Sequence, residues 1–167
     1  MMIPGNPELS MTVLMTPEMA NFSGNVHGGT LLKYMDQVAY ACASRYAGSY
    51  VVTISVDQVV FRAPVHVGEL VTFLASVNYT GHSSMEVGIK VITENTYERS
   101  MRHTNSCFFT MVAVDENQQP TEVPALVLDT YDRKRRFHQA KLRRQLREEL
   151  QARYENIHAS QADEDEL

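Results

Sequence analysis

Within sixteen positions the chain gathers residue types that can act on a carbonyl group: Asn21, Asn25, His27, the pair Gly28-Gly29, and Asp36. A carboxylate such as Asp36 can take a proton from water as a general base, or attack the carbonyl itself to form a mixed anhydride. Gly28-Gly29-Thr30 leads straight into an apolar helical pattern, so free N–H groups at a helix N-terminus stand ready for a developing oxyanion. Losing one such donor typically costs about 3 kcal/mol in the barrier. Each residue also has a plain structural role. Asn21 and Asn25 suit turns or an N-cap, His27 can order the turn as readily as it can polarise a carbonyl, and Asp36 can be a solvated helix acid. No P-loop or dinucleotide fingerprint surrounds the glycines. The six histidines show no short His/Cys ligand spacing, so no metal is expected.

Positioning these groups falls to a long helix. Leu31, Leu32, Met35, Val38, Ala39, Cys42, Ala43 and Tyr46 repeat at the spacing of one broad helix face, and Gly48 would stop it. Asp36 falls at the border of that stripe, near Leu32 and Ala43, whereas Lys33 and Gln37 point well away. Before the helix, Leu9–Met15 alternates as a strand; after it come four β segments, Tyr50–Phe61, Leu70–Tyr79, Met85–Tyr97 and Thr104–Val114. The links Arg62–Glu69 and Thr80–Ser84 read as short connections between antiparallel neighbours. The expected architecture is α+β: five antiparallel strands wrapped around one helix buried almost all round. The far face and edges of the sheet stay open, the usual places for self-association.

The 167 residues carry a net charge of -5, with 44% hydrophobic and 21% charged residues, and one main domain is expected. No run of about 18 apolar residues and no basic n-region with an apolar h-region is present, so a cytoplasmic protein without membrane partners is expected. The ending Asp163–Leu167 superficially resembles an ER-retention tail, an address of no use without a signal peptide. Cys42 and Cys107 sit among apolar residues and read as small buried hydrophobes rather than a disulfide.

Charge is segregated. Residues 1–132 hold 6 Lys/Arg against 13 Asp/Glu, residues 133–147 hold 8 Lys/Arg and no acid, and residues 148–167 hold 1 Arg against 7 acids. This places a boundary near residue 130, dividing a body of residues 1–130 from a charged segment of residues 131–167. In that segment Leu142, Leu146, Leu150 and Tyr154 repeat every four positions from Asp132 onward, as in an amphipathic helix that packs on the body or on a neighbouring subunit. The last residues, 160–167, are expected to be disordered. The run Arg133–His138 resembles a nucleic-acid patch, but the acids that follow it argue against nucleic acid as a partner. Lys90, on a polar strand face, reads as a solvated charge.

Several motifs occur in order: Ala20-Asn21-Phe22-Ser23-Gly24-Asn25-Val26-His27-Gly28-Gly29-Thr30, Leu32-Lys33-Tyr34-Met35-Asp36, Val56 through Pro64, Val67-Gly68-Glu69, Gly81 through Val87, and Phe108 through Asp115. Over residues 8–130 this series resembles the hotdog-fold acyl-CoA thioesterases, the group of the bacterial YciA-type enzymes and the cytosolic acyl-CoA hydrolases of animals. The resemblance implies a dimer whose sheets run on together and whose helices lie face to face, commonly assembled into a hexamer as a trimer of dimers. It implies that Asp36 is the catalytic carboxylate and Asn21 the catalytic amide, with Asn25 as the nearby rival. It further implies that Asn21 and Asp36 of one working site come from different subunits.

The implied reaction is hydrolysis of fatty acyl-CoA to free CoA and a carboxylic acid, with CoA as part of the substrate and no separate cofactor. The residue types fit it: a thiol with a pKa near about 8.5 is a tolerable leaving group, so no strong general acid is required. The Asn21 amide could hold the water or orient the thioester. Arg62 suits a CoA phosphate, and in relatives the loop carrying Ser83 and Ser84 lies near the nucleotide or pantetheine. Two other classes compete with hydrolysis. One is a non-catalytic acyl-CoA sensor that changes its assembly through the charged helix; the other is a hotdog dehydratase, whose differently placed His and acid this chain lacks.

Overall fold

The computed structural model describes the backbone of residues 4–165 and the side chains of residues 4–157. The elements run β1 (Glu8–Leu14), a single 3-10 turn at Pro17–Met19, α1 (Gly28–Ala47), β2 (Tyr50–Val56), β3 (Leu70–Thr80), β4 (Ser84–Asn95), β5 (Ser100–Val114) and α2 (Tyr131–Asp165). Two compact units result, one ending at Val127 and one starting at Leu128.

α1 forms where the 3.6-residue period predicts it, and its ends are chemically marked. His27 is the N-cap, its ring Nδ1 accepting the Gly29 N–H at 3.1 Å. Gly48 closes the helix in the left-handed region, φ 69°, where a side chain would be strained. The helix contacts all five strands and buries Leu31, Met35, Val38, Ala39, Cys42, Ala43 and Tyr46. It is not buried all round, however. Leu32, Lys33, Asp36, Gln37 and Tyr40 are exposed, because one curved sheet covers one side of a helix and the described residues supply no layer for the other.

The five strands form one antiparallel sheet in the order β1-β3-β4-β5-β2. This order corrects one expected connection. The β3–β4 hairpin at Gly81 joins neighbours, its N–H bonding Ser84 O at 2.7 Å, but β2 and β3 lie on opposite sides of the sheet. Period-2 alternation reports which face a residue occupies and says nothing about which strand lies beside it. β2 also stops at Val56 rather than Phe61. Beyond it, single bonds from Asp57 N–H to Phe108 O (2.9 Å) and Arg62 N–H to Thr104 O (3.2 Å) keep the chain beside β5 without a continuous ladder.

Phe73, Val87, Ile89, Val91, Cys107, Phe109 and Met111 line the inner face and form the core with α1. The far face is less open than expected: Glu86 and Asn78 are buried, and Ser76 Oγ hydrogen-bonds Asn78 Oδ1 at 2.7 Å. Gly88 makes room there: a Cβ would run into Asn78 Nδ2 and crowd the Phe108 ring at 3.2 Å, so the buried Asn78 side chain would have to move. α2 extends well past Tyr154 and is helical to Asp165, through most of the tail expected to be disordered; Glu166 and Leu167 lie outside the described residues.

Candidate active site

Asp36 stands on the outward face of α1, one turn from Leu32 and one from Tyr40, both exposed. Its Oδ1 accepts a hydrogen bond from Thr53 Oγ1 at 2.7 Å. Thr53 lies in β2 beside an irregularity where the pairing with β5 shifts between Thr53 and Ser55. That bond fixes one carboxylate oxygen and leaves Oδ2 without a partner among the described residues, able to take a proton from water or to meet a carbonyl carbon. Exposed aromatic and aliphatic side chains lie on the same two elements. Tyr40 packs edge-on against Tyr50 at 5.8 Å, and Ile54 and Val56 are exposed on the same strand. Thr53 was not singled out from the sequence. Val-Val-Thr-Ile is ordinary strand composition, and only the packing of β2 against α1 shows that this hydroxyl meets the acid.

The turn before α1 is organised by Asn21. Its Oδ1 accepts the backbone N–H groups of Ser23 (2.9 Å) and Asn25 (3.2 Å), and its own N–H donates to Asn25 O at 2.7 Å. The amide oxygen is thus committed to the turn, while the two Nδ2 hydrogens have no partner among the described residues. Asn25 forms an isolated bridge with His66, so its backbone serves the same turn.

His27 distinguishes the two glycines. Its ring occupies the Gly29 N–H, so Gly28 keeps the one uncommitted N–H of the pair among the described residues. The Phe61 ring lies where a Cβ on Gly28 would make ordinary contact, at 3.6 Å.

Behind the turn, Val26 N–H bonds Val65 O at 2.7 Å, and segment 64–66 is held by an ion pair. Arg102 grips Glu69 with two bonds of 2.7 Å and donates a third, of 2.8 Å, to Pro64 O, while His66 N–H donates to Glu69 Oε2 at 2.8 Å. Burial pushes the Glu69 carboxyl up, but the Arg102 fork and the His66 N–H outweigh it and hold the group below the usual carboxylate range.

One chain does not bring all of these groups together. Asp36 is eight residues along α1 from Gly28, about 12 Å at 1.5 Å per residue, too far for both to touch one carbonyl. Arg62 and the Ser83-Ser84 turn are also apart. Arg62 N–H bonds Thr104 O and Ser83 O accepts from Ala113 N–H, nine residues of β5 and about 30 Å away. Within one chain the candidate residues thus fall into separate groups, Asp36 with Thr53 on one side and the Asn21 turn that leads into Gly28 on the other.

The cysteines do not compete as nucleophiles. Burial pushes Cys42 up to about 11 and Cys107 up to about 12, so both are protonated thiols at neutral pH. Among the described residues no group of three His, Cys, Asp or Glu could hold a metal ion, and no helix is long and apolar enough to cross a membrane.

Residues 23–100 match the Thioesterase superfamily. An acyl-CoA thioesterase described as hexameric and solved without ligand is 35% identical and superposes with a TM-score of 0.85 over 88% of this chain and 94% of that one. The chain belongs to the thioesterase superfamily. Its fold is the hotdog fold, and at the level of the family it is an acyl-CoA thioester hydrolase. Protein VdlD of Helicobacter pylori is 49% identical over 140 residues, 84% of this thioesterase and 80% of VdlD. The acyl-CoA hydrolase of Staphylococcus aureus, solved with butyryl-CoA, CoA and CoA disulfide, is 26% identical with a TM-score of 0.83 over 94% and 96% of the two chains. Variants of that Staphylococcus enzyme with an Asp, an Asn or a Thr replaced by Ala have also been solved.

Proposed function

We propose that this thioesterase hydrolyses fatty acyl-CoA at sites composed across a dimer, with Asp36 and Thr53 from one chain and Asn21 and Gly28 from the other. The observation that carries the reading is the separation of about 12 Å along α1 between the carboxylate and the open N–H of one chain. A second copy is the simplest source of the missing half. The open edge of β2 and the exposed apolar residues around Asp36 offer the surface for that pairing. The hexameric relative supports further assembly into a trimer of dimers. The Asp, Asn and Thr replaced in the Staphylococcus enzyme are the residue types that meet in this arrangement.

In the reaction the thioester oxygen accepts the Gly28 N–H, and the Asn21 amide orients water or substrate. Asp36 either deprotonates the attacking water or attacks the carbonyl carbon itself. In the first route water adds to the carbonyl, the C–S bond breaks and CoA leaves as a thiolate with the acid formed directly; in the second the C–S bond breaks as an Asp36–acyl anhydride forms, and water then cleaves that anhydride to release the acid and restore the carboxylate. Gly29 is the weaker oxyanion donor because His27 occupies its N–H. Arg62 serves as a phosphate partner for CoA, and Ser83 and Ser84, at the other end of the sheet, meet CoA from a different chain.

Thiol release from acetyl-, hexanoyl-, lauroyl- and palmitoyl-CoA, followed with a chromogenic disulfide reagent, tests the reading. Asp36→Ala should lower kcat about 10²–10⁴-fold, the range for a positioned general base. Mixing Asn21→Ala with Asp36→Ala protein under subunit exchange should recover part of the activity, because one hybrid site carries both residues. CoA binding without any turnover by the wild type would replace hydrolysis with the sensor reading.

A further inference from the structure

α2 carries an apolar band that its own unit leaves open. Leu142, Leu146, Leu150, Tyr154 and Ile157 are each 51–55% exposed. At 100° per residue they form a continuous strip about 120° wide along one side of the helix. Good helix formers and pairs such as Arg144–Glu148 support this helix, but tertiary packing of an apolar strip is what normally supplies most of a helix's stability in a protein.

The charge pattern on either side of the strip identifies the occupant. Residues 133–147 hold 8 Lys/Arg and no acid, and residues 148–167 hold 1 Arg against 7 acids. Two copies laid antiparallel, centred between Glu149 and Leu150, set Leu142 of one opposite Ile157 of the other, and Leu146 close to Tyr154. The same register sets positions Lys134, Arg135 and Arg136 opposite Asp165, Glu164 and Asp163. A parallel pair would instead set basic residues against basic and acidic against acidic.

We infer that α2 is a self-pairing helix whose apolar band docks antiparallel on α2 of a second copy of this chain. Apolar contacts at the centre and opposite charges at both ends select the same register, as core and flanking charges do in helix pairs generally. The inference rests on α2 alone and is independent of the catalytic reading.

Cysteine cross-linking in the full-length protein tests it. Leu142→Cys and Ile157→Cys chains, differently tagged and co-expressed, should give a disulfide-linked heterodimer on mild oxidation, and neither variant alone should link to itself. Leu150→Cys, at the centre, should link to itself. Adding Leu146→Glu and Leu150→Glu to both tagged chains should abolish the heterodimer, with thermal melting confirming that the proteins remain folded. The native Cys42 and Cys107 are buried and do not interfere. Self-linking of Leu142→Cys and of Ile157→Cys would show a parallel pair and overturn the inference. Absence of the heterodimer in folded protein would overturn it as well.

Discussion

The two edges of the sheet are built differently. β1 alternates exposed and half-buried residues along its length; of its exposed positions Glu8, Ser10 and Thr12 are polar, and only Leu14 at its end is apolar. Thr12 spends its hydroxyl on its neighbour, sharing a hydrogen bond of 2.8 Å with Thr72 Oγ1. β2, the other edge, exposes Tyr50, Ile54 and Val56, and its Thr53 hydroxyl reaches out of the sheet to hold Asp36. An open edge with apolar side chains invites pairing, whereas a polar one discourages it. The carboxylate is attached to the inviting edge, so under the proposed reading covering that edge and completing the site are one event.

The largest effect that would sharpen this contrast is expected from Gly28→Pro. Proline is at home at the first position of a helix and lacks an N–H, so the helix should form while the open donor disappears. A drop in kcat of about 10²–10³-fold with little change in melting temperature is expected; near-wild-type kcat would remove Gly28 from the chemistry. Thr53→Ala should lower kcat about 10-fold by releasing one oxygen of Asp36, while Thr12→Ala, the matching change on the other edge, should leave turnover within about twofold. Equal losses at the two edges would break the comparison.

Assembly should show a smaller asymmetry. Ile54→Lys should weaken the dimer by about 10-fold in Kd, measured by light scattering across a dilution series, and Ser10→Lys should not. A turnover effect is expected to be smallest at Glu69, which lies on neither edge. Its carboxyl is held below the usual range in the folded protein, so the stability it contributes is present at neutral pH and is lost as pH falls through that depressed value. The melting temperature of the wild type should therefore fall steeply below about pH 4. Glu69→Gln should start lower at neutral pH, by about 2 kcal/mol, and show a flatter acid response.

Periodicity exposed much of this thioesterase in advance. The stripe from Leu31 to Tyr46 marked α1 and the side it buries, and the alternation of Val71, Phe73, Met85, Val87 and Ile89 marked inner-face positions of two strands. These features were legible because burial acts on each element separately, through a fixed repeat. Leu32 fell inside the expected stripe but is exposed: a band read from sequence has a width, and only the curvature of the sheet decides where it ends. The β2–β3 connection was misread because alternation carries no information about neighbours. Thr53 was missed because its partner is seventeen residues earlier on another element, and no short-range spacing links the two.

Asp36, Asn21 and the two glycines were legible as chemistry-bearing types in an ordered motif, and the resemblance assigned their roles. What the sequence determined by itself was each element's face and the set of groups available, since both follow from residue type and from repeats of two or 3.6. What only the tertiary structure decided was which groups meet. It paired Thr53 with Asp36 and set β2 and β3 on opposite sides of the sheet. Those outcomes depend on distances between elements that the chain's local preferences do not encode.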